Sequence, residues 1–427
     1  MTLLDDARAV LAEGPICDAC LGRPVADRSF GLTNAERGHA LRVGVALADD
    51  EPFSPPEETC WVCEGRMDAV EDYADRVVDA LADLTFETYQ VGTRTPPLVE
   101  ENERLLRQSA GLPEDAGEPF KSEYNREVGK RVGERTGADV DFTRPDVQVL
   151  LDLQADAVDV TVNSAFVYGR YRKLERGIPQ TKWPCRECGG TGERAGDPCP
   201  HCDGTGYRYP ESVEQLTAPP VVEAMEGTAA TFHGAGREDI DARMLGTGRP
   251  FVIEVESPRQ RFPDVDDLAA AIDAYAGDAV EVEGLRLATY EMVERVKSLD
   301  AAKTYRAQVE FREPVDADAL RAAVEELDGA AIRQETPGRV DHRRAAKVRE
   351  RTVYDASVTP GDETHATLEI RGEGGLYVKE LISGDEGRTE PSLAGLLDVD
   401  AYITHLDVLA VEGEREPFED EAYFRDA

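Results

Sequence analysis

This chain lacks the features that mark several common classes of protein. It has no run of about 18 apolar residues, so we expect no membrane span. Its first residues, Met-Thr-Leu-Leu-Asp-Asp, lack the basic and apolar regions of a signal peptide, and we therefore expect a cytoplasmic protein. Neither a Rossmann fingerprint nor a P-loop occurs, so no nucleotide cofactor is implied. At 427 residues, the chain is long enough for two or three domains.

Lysine is scarce in this chain. There are eight lysines among 48 basic residues, against 87 acidic residues, and the formal net charge is −39. Such a composition, with 41% hydrophobic residues, is typical of a globular protein from a salt-accumulating halophile. Molar salt shortens the Debye length to roughly 3 Å, which screens the repulsion between surface carboxylates. A disordered acidic chain is disfavoured because the apolar residues are spread along the sequence.

Cysteine occurs only in four Cys-x-x-Cys pairs, a pattern that in a cytoplasmic chain indicates metal rather than disulfides. Four thiolates fill the tetrahedral coordination of zinc and leave no open position, so we expect two structural zinc sites. A redox dithiol is the alternative for a pair. The first site comprises Cys17, Cys20, Cys60 and Cys63, and the second comprises Cys185, Cys188, Cys199 and Cys202.

The second cysteine site contains an internal repeat. Residues 185–192 and 199–206 both read Cys-x-x-Cys-x-Gly-x-Gly, and glycine permits the tight backbone that surrounds a thiolate-bound metal. The repeat resembles the zinc modules of Hsp40 chaperones, which use four such repeats where this chain has two. His201 lies between two of the cysteines and is expected to be a bystander rather than a ligand.

A segment rich in glycine and arginine occupies residues 236–251, which read Gly-Arg-Glu-Asp-Ile-Asp-Ala-Arg-Met-Leu-Gly-Thr-Gly-Arg-Pro-Phe. Glycine-rich backbone lets a ligand approach closely. Arginine can hold phosphate or keep a neighbouring carboxylate ionised, and an ionised Asp on a tight loop is a candidate nucleophile. An apolar, strand-like stretch follows at residues 251–255.

This segment resembles the catalytic motif of the archaeal and eukaryotic tRNA pseudouridine synthase family that modifies the T arm. The resemblance implies isomerisation of uridine to pseudouridine at positions 54 and 55 of tRNA. In that alignment Asp239 is the catalytic aspartate, which either adds to the nucleotide or removes a sugar proton. Arg237 and Arg249 are expected to clamp phosphate or carboxylate. Asp241 is expected to be structural and to pair with Arg243 or an adjacent group.

Later segments carry the other residues that the resemblance implies. Tyr305, in Lys-Thr-Tyr-Arg-Ala, matches the family tyrosine that stacks on the target base, although its strand pattern also suits a core tyrosine. In Gly-Gly-Leu-Tyr-Val-Lys-Glu, Lys379 is expected to pair with Asp239, and Tyr377 to line the uridine pocket. Leu406 matches the apolar residue that closes the pocket, and taken alone it suits the core.

Two short stretches are basic within this acidic chain. Residues 170–182, which include Arg170, hold five basic residues and one acidic residue, with two tyrosines and a tryptophan in or beside them. Residues 333–351, which include Arg343 and Arg344, hold seven basic and three acidic residues. The local charges, 5 − 1 and 7 − 3, are both +4. We expect both stretches to contact tRNA, and a solvated surface is the alternative.

The order of these features predicts an α+β protein, in which an N-terminal zinc module and a THUMP-like domain precede a mixed-sheet pseudouridine synthase catalytic domain. THUMP is an RNA-binding module of tRNA-modifying enzymes. The predicted regions are a zinc module at 1–68, the THUMP-like domain at 69–184, a second zinc knuckle at 185–210 and the catalytic domain at 211–427.

Hydrophobic periodicity predicts the main elements of these regions. The predicted helices are 68–83, 100–111, 118–136, 265–276 and 317–327. The predicted strands are 146–153, 157–162, 285–293, 303–311, 352–358 and 364–371.

Three other functions compete with this interpretation. A non-catalytic RNA-binding protein would need neither Asp239 nor Tyr305. Another THUMP enzyme, such as a tRNA methyltransferase or thiolase, would need a methyl-donor fold or a P-loop-like signature. A zinc chaperone would need the two missing repeats. We therefore expect a tRNA-binding isomerase with two zinc ions, no organic cofactor and no implied protein partner.

Overall fold

The computed structural model describes residues 2–338, 347–412, 418 and 420–425. The chain divides into two compact units, Met1–Asn163 and Ser164–Ala427. Within the described ranges, no helix combines the length and the apolar character that crossing a membrane requires.

The first unit combines helices with one four-stranded sheet, in the order β2-β1-β3-β4. Strand β1 is parallel to β2 and β3, whereas β3 and β4 are antiparallel. Strands β3 and β4 lie within the predicted strand segments 146–153 and 157–162. The elements of this unit are α1 (Leu3–Ala12), α2 (Asp18–Gly22), α3 (Asn34–Asp49), α4 (Val70–Leu81), β1 (Thr88–Arg94), α5 (Pro97–Ser109), α6 (Phe120–Thr136), β2 (Asp139–Val140), β3 (Val147–Asp152) and β4 (Ala157–Val162).

Helix α6 shows why the first unit folds as its periodicity predicts. Phe120, Tyr124, Val128 and Val132 recur every four residues, so they share one face of the helix, and all four are buried in the core. The helix ends at Gly137, whose φ of +74° is a left-handed conformation that favours glycine. Helices α4 and α5 likewise match the predicted segments 68–83 and 100–111.

The second unit is built on a ten-stranded sheet. Its order is β10-β5-β9-β16-β11-β14-β13-β12-β15, and β8 pairs with β9. The ten strands of this sheet are β5 (Ala165–Lys173), β8 (Ala229–Gly234), β9 (Arg243–Glu256), β10 (Val280–Ala288), β11 (Ala302–Phe311), β12 (Ala331–Glu335), β13 (Val348–Pro360), β14 (His365–Gly372), β15 (Thr389–Glu390) and β16 (Ala401–Glu412). A separate two-stranded sheet contains β6 (Glu193–Arg194) and β7 (Asp197–Pro198). The helices are α7 (Val213–Ala224), α8 (Val265–Ala276), α9 (Tyr290–Ser298), α10 (Ala317–Leu327), α11 (Val378–Ser383) and α12 (Leu393–Leu397).

Two large apolar clusters pack against this sheet. One joins α7 and α8 to β5, β9 and β10, and the other joins α10, α11 and α12 to β11, β13 and β14. Helices α8 and α10 match the predicted bounds because each begins after an aspartate cap. Asp264 accepts hydrogen bonds from the amides of residues 266 and 267, and Asp316 does the same for residues 318 and 319.

One predicted strand is wrong in its second half. The segment 285–293 was expected to be a single strand, but β10 ends at Ala288 and α9 starts at Tyr290. Met292, Val293 and Val296 are buried and lie on one face of the helix. Packing of this face against the sheet therefore favours a helix over a strand.

The boundary expected at residue 184 also differs from the division of the chain. The first unit ends at Asn163, about twenty residues earlier. The reason is hydrogen bonding: β5 is antiparallel to both β9 and β10, so residues 165–173 belong to the ten-stranded sheet.

Candidate active site

Asp239 lies on the connection between β8 and β9. Residues 235–242 have no regular secondary structure, and Gly236 adopts a left-handed φ of +67°. The amide of Ala242 donates to the carbonyl of Asp239 at 3.0 Å and closes a turn. Asp239 therefore stands on a tight loop, as the motif predicted. We call residues 235–242 the Asp239 loop.

The glycines after the Asp239 loop allow strands to approach each other. Gly246 and Gly248 lie in β9 with φ of +55° and +67°. A Cβ at Gly246 would lie 1.9 Å from the carbonyl oxygen of Leu409 on β16, and one at Gly248 would lie 2.9 Å from that of Tyr171 on β5. At these two positions, the close approach that glycine permits is one between neighbouring strands.

Lys379, in α11, joins two carboxylates of the Asp239 loop. Its Nζ lies 3.2 Å from Oδ2 of Asp239, as the resemblance implied, and 2.8 Å from Oδ2 of Asp241. Asp241 thus forms an ion pair with Lys379, while Arg243 forms an ion pair with Asp407 on β16. The side chain of Lys379 is 25% exposed and that of Asp239 is 39% exposed, so a substrate can reach the ion pair.

Tyr305 stands on β11 within electrostatic reach of Asp239. Burial raises the pKa of Tyr305 to about 12; the cation of Arg249 opposes this rise and the anion of Asp239 adds to it. The phenol is therefore protonated at neutral pH. Its half-buried side chain packs against both large apolar clusters of the second unit.

Arg249 clamps a carboxylate rather than a phosphate. It is 1% exposed, and its Nε lies 2.9 Å from Oε2 of Glu238, whose side chain is also fully buried. Its Nη1 donates to the carbonyl of Ala235 at 2.7 Å. Arg249 thus holds the Asp239 loop from inside the unit.

The other predicted arginines have different environments. Arg237 is exposed on the Asp239 loop and has no partner within the described ranges, so it is available to a phosphate. Arg170 donates to the carbonyls of Thr247, at 2.6 Å, and Gly248, at 3.0 Å. Two further predicted residues, Arg343 and Arg344, lie outside the described residues.

Tyr377 and Leu406, both expected at the uridine pocket, differ in exposure. The side chain of buried Gln334 makes two hydrogen bonds to the backbone of Tyr377. It accepts one from the amide of Tyr377 and donates one to its carbonyl, both at 2.9 Å. The Tyr377 side chain remains half-buried. Leu406 is 7% exposed, belongs to the apolar cluster below β11, and pairs in register with Ala307, two residues from Tyr305.

Most basic side chains of the stretch 170–182 have partners within the protein. Lys173 is fully buried, and Arg172 pairs with two glutamates of β10. Arg176 pairs with buried Asp407, and Lys182 lies 3.3 Å from Glu214. The two tyrosines of this region are buried as well. Alternation in β5 places Lys173 on the same buried face as Tyr171, whereas Arg170 and Arg172 lie on the opposite, half-buried face.

The cysteines of the first unit converge as their spacing predicted. The four Sγ atoms lie within 4.8 Å of one another, and those of Cys17 and Cys63 are 3.8 Å apart. A tetrahedral zinc with Zn–S bonds of about 2.3 Å needs sulfurs roughly 3.8 Å apart. Arg23, buried beside Cys20 with Nη2 3.5 Å from its Sγ, supplies positive charge next to the thiolates.

The cysteines of the second unit converge in the same way. The four sulfurs lie within 4.8 Å of one another, and those of Cys188 and Cys202 are 3.8 Å apart. The amides of Gly192 and Gly206 donate to them at 3.3 and 3.2 Å. Desolvation acts to raise the pKa of Cys188, but backbone N–H groups outweigh it and lower the pKa to about 6, which favours the metal-binding thiolate. Exposed His201 takes no part in either cluster.

Sequence reasoning missed the groups beneath the Asp239 loop. Lys173 and Glu238 are both buried and neither was assigned to the site. A signal was available for Lys173: in β5 it shares the period-2 face of Val167 and Tyr171, which are apolar core positions. No such pattern marks Glu238, because the Asp239 loop has no periodicity.

Known families match most of this chain. The family model described as "Pus10, C-terminal" matches residues 166–412, and "Pus10 THUMP domain, archaeal" matches residues 73–152. Among solved structures, "Crystal Structure of a Cbf5-Nop10-Gar1 Complex" aligns with 46% of this chain and 44% of that chain, at 18% identity and a TM-score of 0.30. That similarity is too low to support a conclusion.

Curated relatives match from end to end. The chain is 65% identical over 427 residues to the tRNA pseudouridine synthase Pus10 of Halorubrum lacusprofundi, with 100% of both chains covered. It is 44% identical over 438 residues to the tRNA pseudouridine synthase Pus10 of Methanothrix thermoacetophila, with 96% of this chain and 95% of that protein covered. Together with the family models, these identities show that the chain belongs to the Pus10 family of tRNA pseudouridine synthases.

Proposed function

We propose that this enzyme converts uridines 54 and 55 in the T arm of tRNA to pseudouridine, with Asp239 as the catalytic carboxylate. One observation carries the assignment: Lys379 lies 3.2 Å from Asp239 on a tight loop, within reach of a protonated, half-buried tyrosine. The ammonium of Lys379 orients the carboxylate of Asp239, and a carboxylate can serve as the nucleophile or base that the reaction requires.

The reaction is an isomerisation and consumes no co-reactant. The bond between N1 of uracil and C1′ of ribose breaks, the base turns, and C5 bonds to C1′; C5 loses a proton and N1 gains one. In the proposed site, Asp239 either attacks the nucleotide or removes a sugar proton. Tyr305 stacks on the base, and Tyr377 and Leu406 limit the access of water while the base turns.

Arg237 is the proposed phosphate contact nearest to the catalytic carboxylate. It is exposed and stands two residues before Asp239, so a bound phosphate would place the nucleotide at the loop. Arg343 and Arg344 remain proposed tRNA contacts from their sequence alone. We further propose that the archaeal THUMP domain binds tRNA and that the enzyme is cytoplasmic.

We also propose that each cysteine cluster holds one structural zinc ion. Four sulfur ligands at tetrahedral separations leave no position for water or substrate, so neither ion would take part in the reaction. Thiols stay reduced in the cytoplasm, which disfavours disulfides. In each cluster four cysteines approach one another, whereas a redox dithiol needs two, so bound metal is favoured.

The test is pseudouridine mapping of unmodified tRNA incubated with the purified enzyme in molar KCl. We expect modification at both positions, and loss of one signal when either uridine is replaced by cytidine. Asp239→Asn should abolish both signals while tRNA affinity stays within about twofold. Modification only outside the T arm would refute the proposed substrate position, and an active Asp239→Asn enzyme would refute the catalytic assignment.

A further inference from the structure

The segment that follows β5 forms a cradle for the Asp239 loop. Gly177 donates its amide to the carbonyl of Ile240 at 2.9 Å, and Gln180 donates to the carbonyl of Gly236 at 2.9 Å. Arg176 donates to the carbonyl of Asp241 at 2.8 Å. These contacts come from 170–182, the basic stretch that was expected from its composition to contact tRNA.

Lys173 is the innermost member of this cradle. It is fully buried, and its Nζ donates to the carbonyl of Ile178 at 2.8 Å and to the carbonyls of Asp239 and Ile240, both at 3.3 Å. These three acceptors match in number the three N–H bonds of an ammonium. One residue thus holds the backbone of the proposed catalytic aspartate itself.

Glu238 neutralises part of the charge that this arrangement buries. Its carboxylate accepts from the hydroxyl of Tyr171 at 2.9 Å, lies 2.9 Å from Nε of Arg249 and lies 3.7 Å from Nζ of Lys173. The buried set of two cations and one anion carries a net charge of +1 (2 − 1). Because Glu238 immediately precedes Asp239, its position also fixes the start of the turn that presents the catalytic carboxylate.

We propose that Lys173 and Glu238 act as one positioning pair, which sets the distance of Asp239 from Lys379 and from the target nucleotide. The pair does not touch the substrate, since both side chains are buried. Displacement of a reacting group by about 1 Å can cost on the order of 100-fold in rate. This inference rests on the proposed catalytic role of Asp239.

Single-turnover kinetics with unmodified tRNA separates positioning from folding. The rate constant reports the chemistry in each correctly folded enzyme, whereas the amplitude reports the fraction of active enzyme. Lys173→Met removes the ammonium and keeps an unbranched apolar chain. We expect its rate constant to fall on the order of 10- to 100-fold with tRNA affinity within about twofold. Lys297→Met, the same change at an exposed position of α9, is the matched control and should keep both values.

A second variant keeps the inference testable if Lys173→Met folds poorly. Glu238→Gln retains the size of the side chain and its capacity to accept from Tyr171, but removes the negative charge. We expect a similar fall in its rate constant. In the double variant the two effects should not multiply, because both act through the same loop.

The outcomes distinguish this inference from the proposed function. A full single-turnover rate constant in Lys173→Met, or a loss confined to the amplitude, would overturn the positioning role. Multiplicative effects in the double variant would show that the residues do not act as a pair. An active Asp239→Asn enzyme, measured in the same assay, would instead remove the catalytic assignment on which the inference depends.

Discussion

Arg243 and Asp407 form a two-point ion pair between the start of β9 and the middle of β16. Nε of Arg243 donates to Oδ1 of Asp407 at 3.0 Å, and Nη2 donates to Oδ2 at 2.8 Å. Arg176 adds a third contact to the same carboxylate at 2.5 Å. Among the residues that the structure describes, β16 pairs in parallel with β9 alone, at Arg243 and Met244, so this ion pair ties the end of the Asp239 loop to the sheet.

This ion pair predicts an acid-sensitive contribution to stability. Burial acts to raise the pKa of Asp407, but the hydrogen bonds from Arg243 and the charge of Arg176 outweigh it and lower the pKa. Because the pKa of Asp407 is lower in the folded state than in the unfolded state, its ionised carboxylate stabilises the fold at pH values above the unfolded pKa of about 3.9. This stabilisation is lost as the pH falls through the folded pKa. Asp407→Asn should therefore lower the free energy of unfolding at pH 7 by about 1.5–3 kcal/mol.

Chemical denaturation at pH 7 and near pH 3 measures this difference. The gap between the natural enzyme and Asp407→Asn should narrow toward the lower pH. Asp400→Asn, which removes an exposed partner of Arg312, is the control and should change stability little at either pH. A gap that does not change with pH would contradict the assignment.

Asp239 and Asp241 should differ sharply on substitution, although both contact Lys379. Asp241 has a side chain that is 71% exposed, so its ion pair is screened by solvent. Asp241→Asn should change the single-turnover rate constant by less than about fivefold, whereas Asp239→Asn should abolish product. Equal losses of rate in the two variants would contradict the assignment of Asp239, rather than Asp241, as the catalytic carboxylate.

The two metal clusters should respond differently to loss of zinc. Elemental analysis should give about two zinc ions per chain, and Cys17→Ser and Cys185→Ser should each lose one. Cys20, Cys60 and Cys63 belong to the main core of the first unit, whereas the second cluster forms a small core of its own. Cys17→Ser should therefore lower the melting temperature of the enzyme markedly, and Cys185→Ser only slightly.

Tryptophan fluorescence can assign each ion to its cluster. The chain has two tryptophans, Trp61 between the cysteines of the first cluster and Trp183 beside those of the second. In Trp61→Phe, only the second cluster should report chelation, and in Trp183→Phe only the first. Zinc-free enzyme with unchanged melting and fluorescence would contradict structural zinc at both clusters.

Salt should stabilise this protein. With a net charge of −39, dilute buffer leaves the surface carboxylates repelling one another, whereas molar salt screens them. The melting temperature should rise between about 0.1 and 3 M KCl. Binding of tRNA should persist at molar KCl, because it would rest more on stacking and shape than on phosphate contacts. A steep fall in affinity, combined with full stability in dilute buffer, would contradict both expectations.

Local sequence determined the parts of this protein that depend on short spacing. Cys-x-x-Cys pairs form knuckles regardless of distant residues, and two glycine repeats impose the same tight turns twice. The helices 265–276 and 317–327 follow from an aspartate cap and an apolar period, both contained in the segment. Within 236–251, resemblance to a family rather than spacing singled out Asp239, and the same resemblance implied its partner Lys379.

Tertiary structure alone decided which charges are buried. The stretch 170–182 has the composition of an RNA-binding edge, yet neighbouring strands and the Asp239 loop enclose Lys173 and provide partners for its arginines. Arg249 has the same charge as Arg237 and stands in the same motif, but one is enclosed by Glu238 and the other is exposed. The free energy of a charge depends on the groups and solvent around it, and residues distant in sequence supply those surroundings.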